Sequence, residues 1–233
     1  MTDLAGLVFD KDGTLFDFNA TWGAWTRRML VRESNGDPGM AHRLAEALGF
    51  DAATERFRPG SVVIAEPVHT VADRIMAITG ATDRAALIAR MNAQAAEVPQ
   101  RPAADLPRLL DHLRARGLTL GLATNDAEAP ARAHLQAEGI TDRFDFIAGA
   151  DSGHGHKPGP GQLLAFLDRT GLAPGACAMI GDSTHDLEAG RAAGMVCVGV
   201  LTGPAPRAEL TPMADVVLDT IADLFDWLDA RTG

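Results

Sequence analysis

The chain has 233 residues, enough for one large α/β domain or for a core with a smaller inserted domain, since single domains cluster near ~100–200 residues. With 46% hydrophobic and 22% charged residues it has the balance of a folded globular protein and not of a disordered one. Its 31 acidic against 21 basic side chains leave a formal charge of −10, which excludes nucleic acid and anionic lipid as partners in the absence of a local basic patch, and none is visible. Such a chain still binds a small anion where a metal ion and a few placed cations set the local field.

The first apolar run, GLVF, ends in Asp10-Lys11-Asp12-Gly13-Thr14, so a short strand is predicted to release the chain into a turn that carries two carboxylates. About a hundred residues pass before the next strand, far too many for an ordinary strand–helix connection. Within them NATWGAWTRRMLVRES, PGMAHRLAEALGF, AEPVHTVADRIMAITG and DRAALIARMNAQAAE show helical spacing of apolar positions, with Gly or Pro between them. An inserted all-helical domain is therefore expected at residues 18–100, with residues 1–17 and 101–233 as a discontinuous core. DLPRLLDHLRARG reads as a helix ending at Gly117. The runs LTLGLATND, FDFIAGADSG, CAMIGDST and MVCVGVLTG then read as strands ending in turn signals, each followed by a stretch that can be helical.

Strands separated by helical crossovers cannot pair as hairpins, so the expected fold class is α/β, a doubly wound parallel sheet with helices on both faces. Ligands of such sheets sit beyond the carboxyl ends of the strands, which singles out Asp10, Thr124, Asp151 and Asp182. Cys177 and Cys197 lie in apolar runs and read as small buried hydrophobes, not as a disulfide framework. The segment MTDLAGLVFD has no basic leader character, and no run approaches the ~18 apolar residues of a membrane span, so a cytoplasmic location with no membrane partner is expected.

Each motif has a plainer alternative. DKDG suits an ordinary loop, because Asp and Gly favour turns. Thr124 or Asn125 could cap the next helix, with Glu128 as a capping-box partner of Asn125. Lys157, in His156-Lys157-Pro158-Gly159-Pro160, sits just ahead of a proline-initiated helix, and a lone loop lysine is usually solvated. Ser183 and Asp186 fit the S-x-x-D capping pattern. Taken together these alternatives require four unrelated coincidences, all at the carboxyl ends of strands.

The set FDKDGT, LATN, the HKPGP lysine and GDSTHD resembles the four motifs of the haloacid dehalogenase superfamily, and the helical insertion is similar to the cap of its phosphoglycolate-phosphatase-like branch. The resemblance spans nearly the whole chain. It implies a Rossmann-like core and a Mg2+-dependent phosphatase for a small phosphorylated metabolite, with 2-phosphoglycolate as the substrate suggested by analogy. It also implies Asp10 as the nucleophile that forms an aspartyl-phosphate, and Asp12 as general acid and base. Thr124, Asn125 and Lys157 would bind the phosphoryl group. The metal would be held by Asp10 and Asp182 side chains and the Asp12 backbone carbonyl, with Asp186 acting through water or from behind these ligands.

Lys11 departs from the family, which more often has an apolar or neutral residue there, and its side chain is expected to point away from the phosphate. His185 is expected to be a bystander, and His154 and His156 to belong to a flexible loop. Trp22, Trp25, Arg27, Arg28, Arg58, His69 and Arg74 are the candidates in the insertion for contacts with a substrate tail, most of them expected to be structural. The alternative enzyme is a hexose phosphomutase of the same superfamily. A receiver-like signalling phosphoprotein is disfavoured because the D-x-D-G-T pair ends the first strand, and a silent binding protein because every expected charged position is filled. Neither a P-loop nor a G-x-G-x-x-G fingerprint occurs. Oligomeric state is not legible.

Overall fold

The computed structural model describes residues 3–58 and 60–232. The chain begins with β1 (Gly6–Phe9) and passes through residues 10–17 into α1 (Phe18–Glu33), α2 (Pro38–Leu48), the short strands β2 (Phe50–Asp51) and β3 (Arg56–Phe57), α3 (Val62–Ala65), α4 (Val68–Thr79) and α5 (Arg84–Ala96). It continues through α6 (Leu106–Ala115), β4 (Thr119–Ala123), α7 (Glu128–Ala137), β5 (Phe146–Ala148), α8 (Gly161–Thr170), β6 (Cys177–Gly181), α9 (Thr184–Ala192), β7 (Val196–Val200), α10 (Arg207–Leu210), β8 (Val216–Leu218) and α11 (Leu224–Thr232).

Six strands form one sheet in the order β5-β4-β1-β6-β7-β8, and every pair in it is parallel. All four residues of β1 are buried because helices cover both faces. The pleat divides them: Leu7 and Phe9 join Leu109, Leu113, Leu135 and Leu228 of α6, α7 and α11, while Val8 joins Leu163, Phe166 and Ala189 of α8 and α9. Phe9 lies opposite both Leu122 of β4 and Ile180 of β6. That register brings the ends of the three central strands level, so the residues that follow them, Asp10, Thr124 and Asp182, open on one crevice.

The segment from Phe18 to Val98 has its own apolar cluster, with Trp22 and Met29 of α1, Leu44 and Leu48 of α2, Ile75 of α4, and Leu87 and Met91 of α5. The helix ends follow from local chemistry. Asp37 and Asp83 accept hydrogen bonds from backbone N–H groups in the first turns of α2 and α5, and the left-handed Gly49 and Gly80 close α2 and α4. The β2–β3 hairpin corrects the all-helical expectation for this segment. Its two-residue strands are too short to show alternation, and their pairing is stabilised by the tilted contact of Phe50 with Phe57, whose ring centroids are 5.0 Å apart. The chain leaves and re-enters the sheet-bearing part side by side: Asp17 N–H donates to Arg101 O at 2.8 Å and Ala103 N–H to Leu15 O at 2.9 Å. The sixth strand, β8, was not among the expected ones; its three residues, VVL, lie at the sheet edge and are only half-buried.

Candidate active site

The crevice beyond β1, β4 and β6 holds a ring of buried charge. Asp10, Asp182 and Asp186 each present one carboxylate oxygen within 4.8 Å of the others. Lys157 bridges two of them, with Nζ donating to Asp10 Oδ1 at 2.6 Å and to Asp186 Oδ1 at 2.5 Å. Burial pushes the Asp10 carboxyl up to about 7, against the Lys157 charge and with the repulsion of Asp186 and Asp12. The same burial, with the Asp10 and Asp186 charges, holds Asp182 well above the usual carboxylate range. Burial alone would lower Lys157, but its two carboxylate partners outweigh it and hold the ammonium protonated. Three hard oxygen ligands with one shared ammonium leave a deficit of positive charge, and the set fits a divalent metal ion.

Backbone geometry fixes this ring. Gly13 has a φ of 81°, and a Cβ at Gly13 or at Gly203 would overlap the Asp182 carboxylate, so Asp182 is clamped between two main-chain segments. Thr202 Oγ1 donates to Gly13 O at 2.6 Å and ties the segments together. Asp186 combines its anticipated capping role with an ion pair to Lys157. Its Oδ2 accepts from Ser183 N–H at 3.0 Å and from Ser183 Oγ at 2.7 Å, completing the cap of α9, while its Oδ1 takes the lysine.

Thr124 is buried at the end of β4, with its hydroxyl oxygen accepting from Asp126 N–H at 3.1 Å. Asn125 does not form a capping box with Glu128. Its carboxamide pairs with the backbone of Lys157, Nδ2 donating to Lys157 O and Oδ1 accepting from Lys157 N–H, both at 2.9 Å. The α7 N-terminus is instead capped across the loop by Asp151, whose Oδ1 accepts from Glu128 N–H at 2.8 Å. Lys157 precedes α8 by four residues, since Pro160 rather than Pro158 immediately precedes the helix.

Asp12 stands apart from the carboxylate trio. Both its oxygens lie 2.7 Å from Lys11 Nζ. Lys11 is fully buried, with Asp126 at 3.1 Å and His134 Nδ1 also at 3.1 Å, so each of its three N–H bonds has a partner. The ammonium can only donate, so His134 Nδ1 is the acceptor, and Nε2–H donates to Ala95 O at the end of α5, 2.7 Å away. Burial, aided by the Lys11 charge, brings His134 down to about 4 and keeps it neutral. Lys11 thus points away from the trio, as expected, but into a polar nest that buries it completely while Asp12 and Asp126 still line the cavity. Its partners Asp126 and His134 had no assigned role in the sequence. Asp126 directly follows the LATN motif, whereas His134 lies mid-helix with nothing local to mark it.

A single cavity joins these groups to the helical segment, with Trp22, Trp25, Met91 and Val71 opposite Asp10, Thr124 and Lys157. His185 also lines it, with its Nδ1 buried and unpaired. His69 packs edge-on against His156 at 5.8 Å between ring centroids. Arg27 and Arg58 pair instead with Glu55 and Glu46 on the surface, and Arg28 and Arg74 are exposed. Cys177 and Cys197 are free and buried, and burial raises both thiols to about 11.

A haloacid dehalogenase-like hydrolase family model matches residues 4–194, which include every motif residue described above. The chain belongs to the haloacid dehalogenase-like hydrolases. Among curated members, the phosphoglycolate phosphatase of Yersinia pestis is 30% identical over 95% of this chain and 91% of its own length. That of Rhodospirillum rubrum is 40% identical over 52% of this chain, and the match spans about half, 50%, of the R. rubrum protein. The same architecture occurs in the crystal structure of a predicted phosphoglycolate phosphatase from Haemophilus somnus 129PT, with a TM-score of 0.74 and 20% identity over 97% of this chain and 99% of that one. Among the described residues no helix is long and apolar enough to cross a membrane.

Proposed function

We propose that this member of the family is a Mg2+-dependent phosphatase for a small phosphorylated metabolite. The observation that carries the reading is the Lys157 ammonium held between Asp10 and Asp186 beside Asp182, at the level where three strands end. Asp10 is the nucleophile. Its carboxylate oxygen attacks phosphorus, the bond from phosphorus to the ester oxygen breaks, and Asp12 gives its proton to the departing alkoxide. Asp12 then takes a proton from water, the hydroxide attacks the aspartyl-phosphate, and phosphate leaves with the Asp10 carboxylate regenerated. Burial raises the Asp12 carboxyl against the opposing Lys11 charge, which favours a group able to hold a proton.

Lys157 and Thr124 hold the phosphoryl oxygens, and Asn125 positions Lys157 through its backbone. Asp10 and Asp182 through their side chains and Asp12 through its backbone carbonyl would hold magnesium, with Asp186 acting through water or from behind these ligands, and the ion would supply positive charge against that gathering on the phosphoryl group. The helical residues 18–100 act as a cap that excludes water from the reacting centre, hinged on the paired segments at Leu15–Asp17 and Arg101–Ala103. The test is phosphate release from a panel of phosphate monoesters, with magnesium or chelator. Release that needs magnesium and falls by ~10⁴ or more in Asp10→Asn is expected, since the nucleophile is removed outright. Release that persists in Asp10→Asn would overturn the reading.

A further inference from the structure

The floor and the roof of the cavity differ in chemistry. The floor carries Asp10, Asp12, Asp182, Asp186 and Lys157, whereas the roof is Phe18, Trp22, Trp25, Val63, Val71 and Met91, with Glu66 and Asn92 as its polar residues. Among the described residues that line it, Lys157 alone is a lysine or arginine, and its Nζ is already bound to two carboxylates. Lys11 lies close by but is wholly enclosed by Asp12, Asp126 and His134. The arginines of the helical segment that could have turned inward are exposed, two of them paired with surface glutamates.

A substrate whose alcohol carries a carboxylate would bring a second anion into this roof. It would lose its water against indole, thioether and aliphatic surface, with Glu66 the carboxylate of the roof and repulsive, while the Lys11 ammonium, 5.5 Å from the Trp22 ring centroid, is already balanced by Asp12 and Asp126. An anion buried without a cation to balance it is strongly disfavoured, so such a tail is selected against. An uncharged apolar tail gains from the same surface in proportion to the area it removes from water, and an aromatic one can pack against the perpendicular pair Trp22 and Trp25, whose centroids are 5.3 Å apart. A hexose would find few polar partners there. Trp25 adds one buried indole N–H without a partner, a donor available to a single acceptor atom of the tail.

We infer that the preferred substrates are phosphate monoesters of uncharged, largely apolar alcohols, not of hydroxy acids such as glycolate. The inference rests on the phosphatase reading. The test compares kcat/KM of the magnesium-loaded enzyme for benzyl phosphate, hexyl phosphate, 2-phosphoglycolate and 3-phosphoglycerate, all esters of aliphatic alcohols, so that differences in leaving-group basicity stay small. Benzyl phosphate is expected to exceed 2-phosphoglycolate by about tenfold or more, mostly through KM. In Glu66→Gln the ratio should shift several-fold back toward 2-phosphoglycolate. Magnesium-dependent release that favours either hydroxy-acid phosphate, or treats all four alike, would overturn the substrate class while leaving the phosphatase reading standing. Release from none of them or from any other monoester would overturn both.

Discussion

Two buried lysines, 146 positions apart in the chain, hold the two aspartates of the D-x-D motif in different ways. Lys157 reaches Asp10 and Asp186 from the loop after β5 and lies on the cavity wall. Lys11 reaches Asp12, Asp126 and His134 from within the motif itself and has no exposed surface. The first opens on the cavity, and the second is a closed charge balance. Burial and ion pairing therefore do not by themselves mark a lysine as a substrate-binding group; access to the cavity does.

Of the two lysines the larger effect should come from Lys157→Met, which removes the cation on the cavity wall proposed to face the phosphoryl group. Turnover with magnesium should fall by ~10²–10³ or more, measured as kcat for phosphate release. If the comparison holds, Lys11→Met will act first on stability. It strands Asp12 and Asp126 together, and denaturant unfolding should show a loss of about 3–5 kcal/mol. The double variant Lys11→Met/Asp126→Asn should recover ~1–3 kcal/mol of that loss, because the two groups share one network. No recovery would mean that Lys11 does not balance Asp126.

The neutral His134 gives the closed nest a pH dependence of definite sign. Its folded value lies at about 4 against an ordinary 6.5, so the unfolded chain binds the proton more readily between these two values. The histidine's own share of native stability should therefore fall by roughly 2 kcal/mol on going from pH 7 to pH 5, opposed by the raised Asp10 carboxyl, which binds its proton more readily in the folded chain; it is read as the difference in pH dependence between the wild type and His134→Leu. Equal changes in the two proteins would remove His134 from the account. A more local effect is expected at the open site's scaffold: Gly203→Ala crowds the clamped Asp182, and magnesium titration of phosphate release should show affinity about tenfold weaker or more.

Much of this architecture was legible in the sequence because its signals are local. Five strands announce themselves as apolar runs that end in Asp, Asn or Gly, and the helices as apolar spacings between Gly and Pro. Asp10, Thr124 and Asp182 were legible because a parallel sheet delivers the residues after its strands to one edge; Asp151, singled out on the same ground, caps α7 instead, and Lys157 was marked by the HKPGP motif. Where local signals were short or degenerate the reading was incomplete: β8 has three half-buried edge residues and the β2–β3 hairpin has two per strand. The Asn125–Glu128 capping pair failed because Asn125 is drawn to the Lys157 backbone, and Asp151 caps α7 in its place.

By itself the sequence determined the α/β class, the inserted helices, the family and the residues at the strand ends, since these depend on periodicity and on motifs within a few residues of one another. Only the tertiary structure decided which partners the two lysines take, that His134 is a neutral link from Lys11 to the end of α5, and that the arginines of the helical segment stay outside the cavity. Those outcomes depend on contacts between residues tens to more than a hundred positions apart, and on which face of each helix is turned inward once two separate apolar clusters have packed.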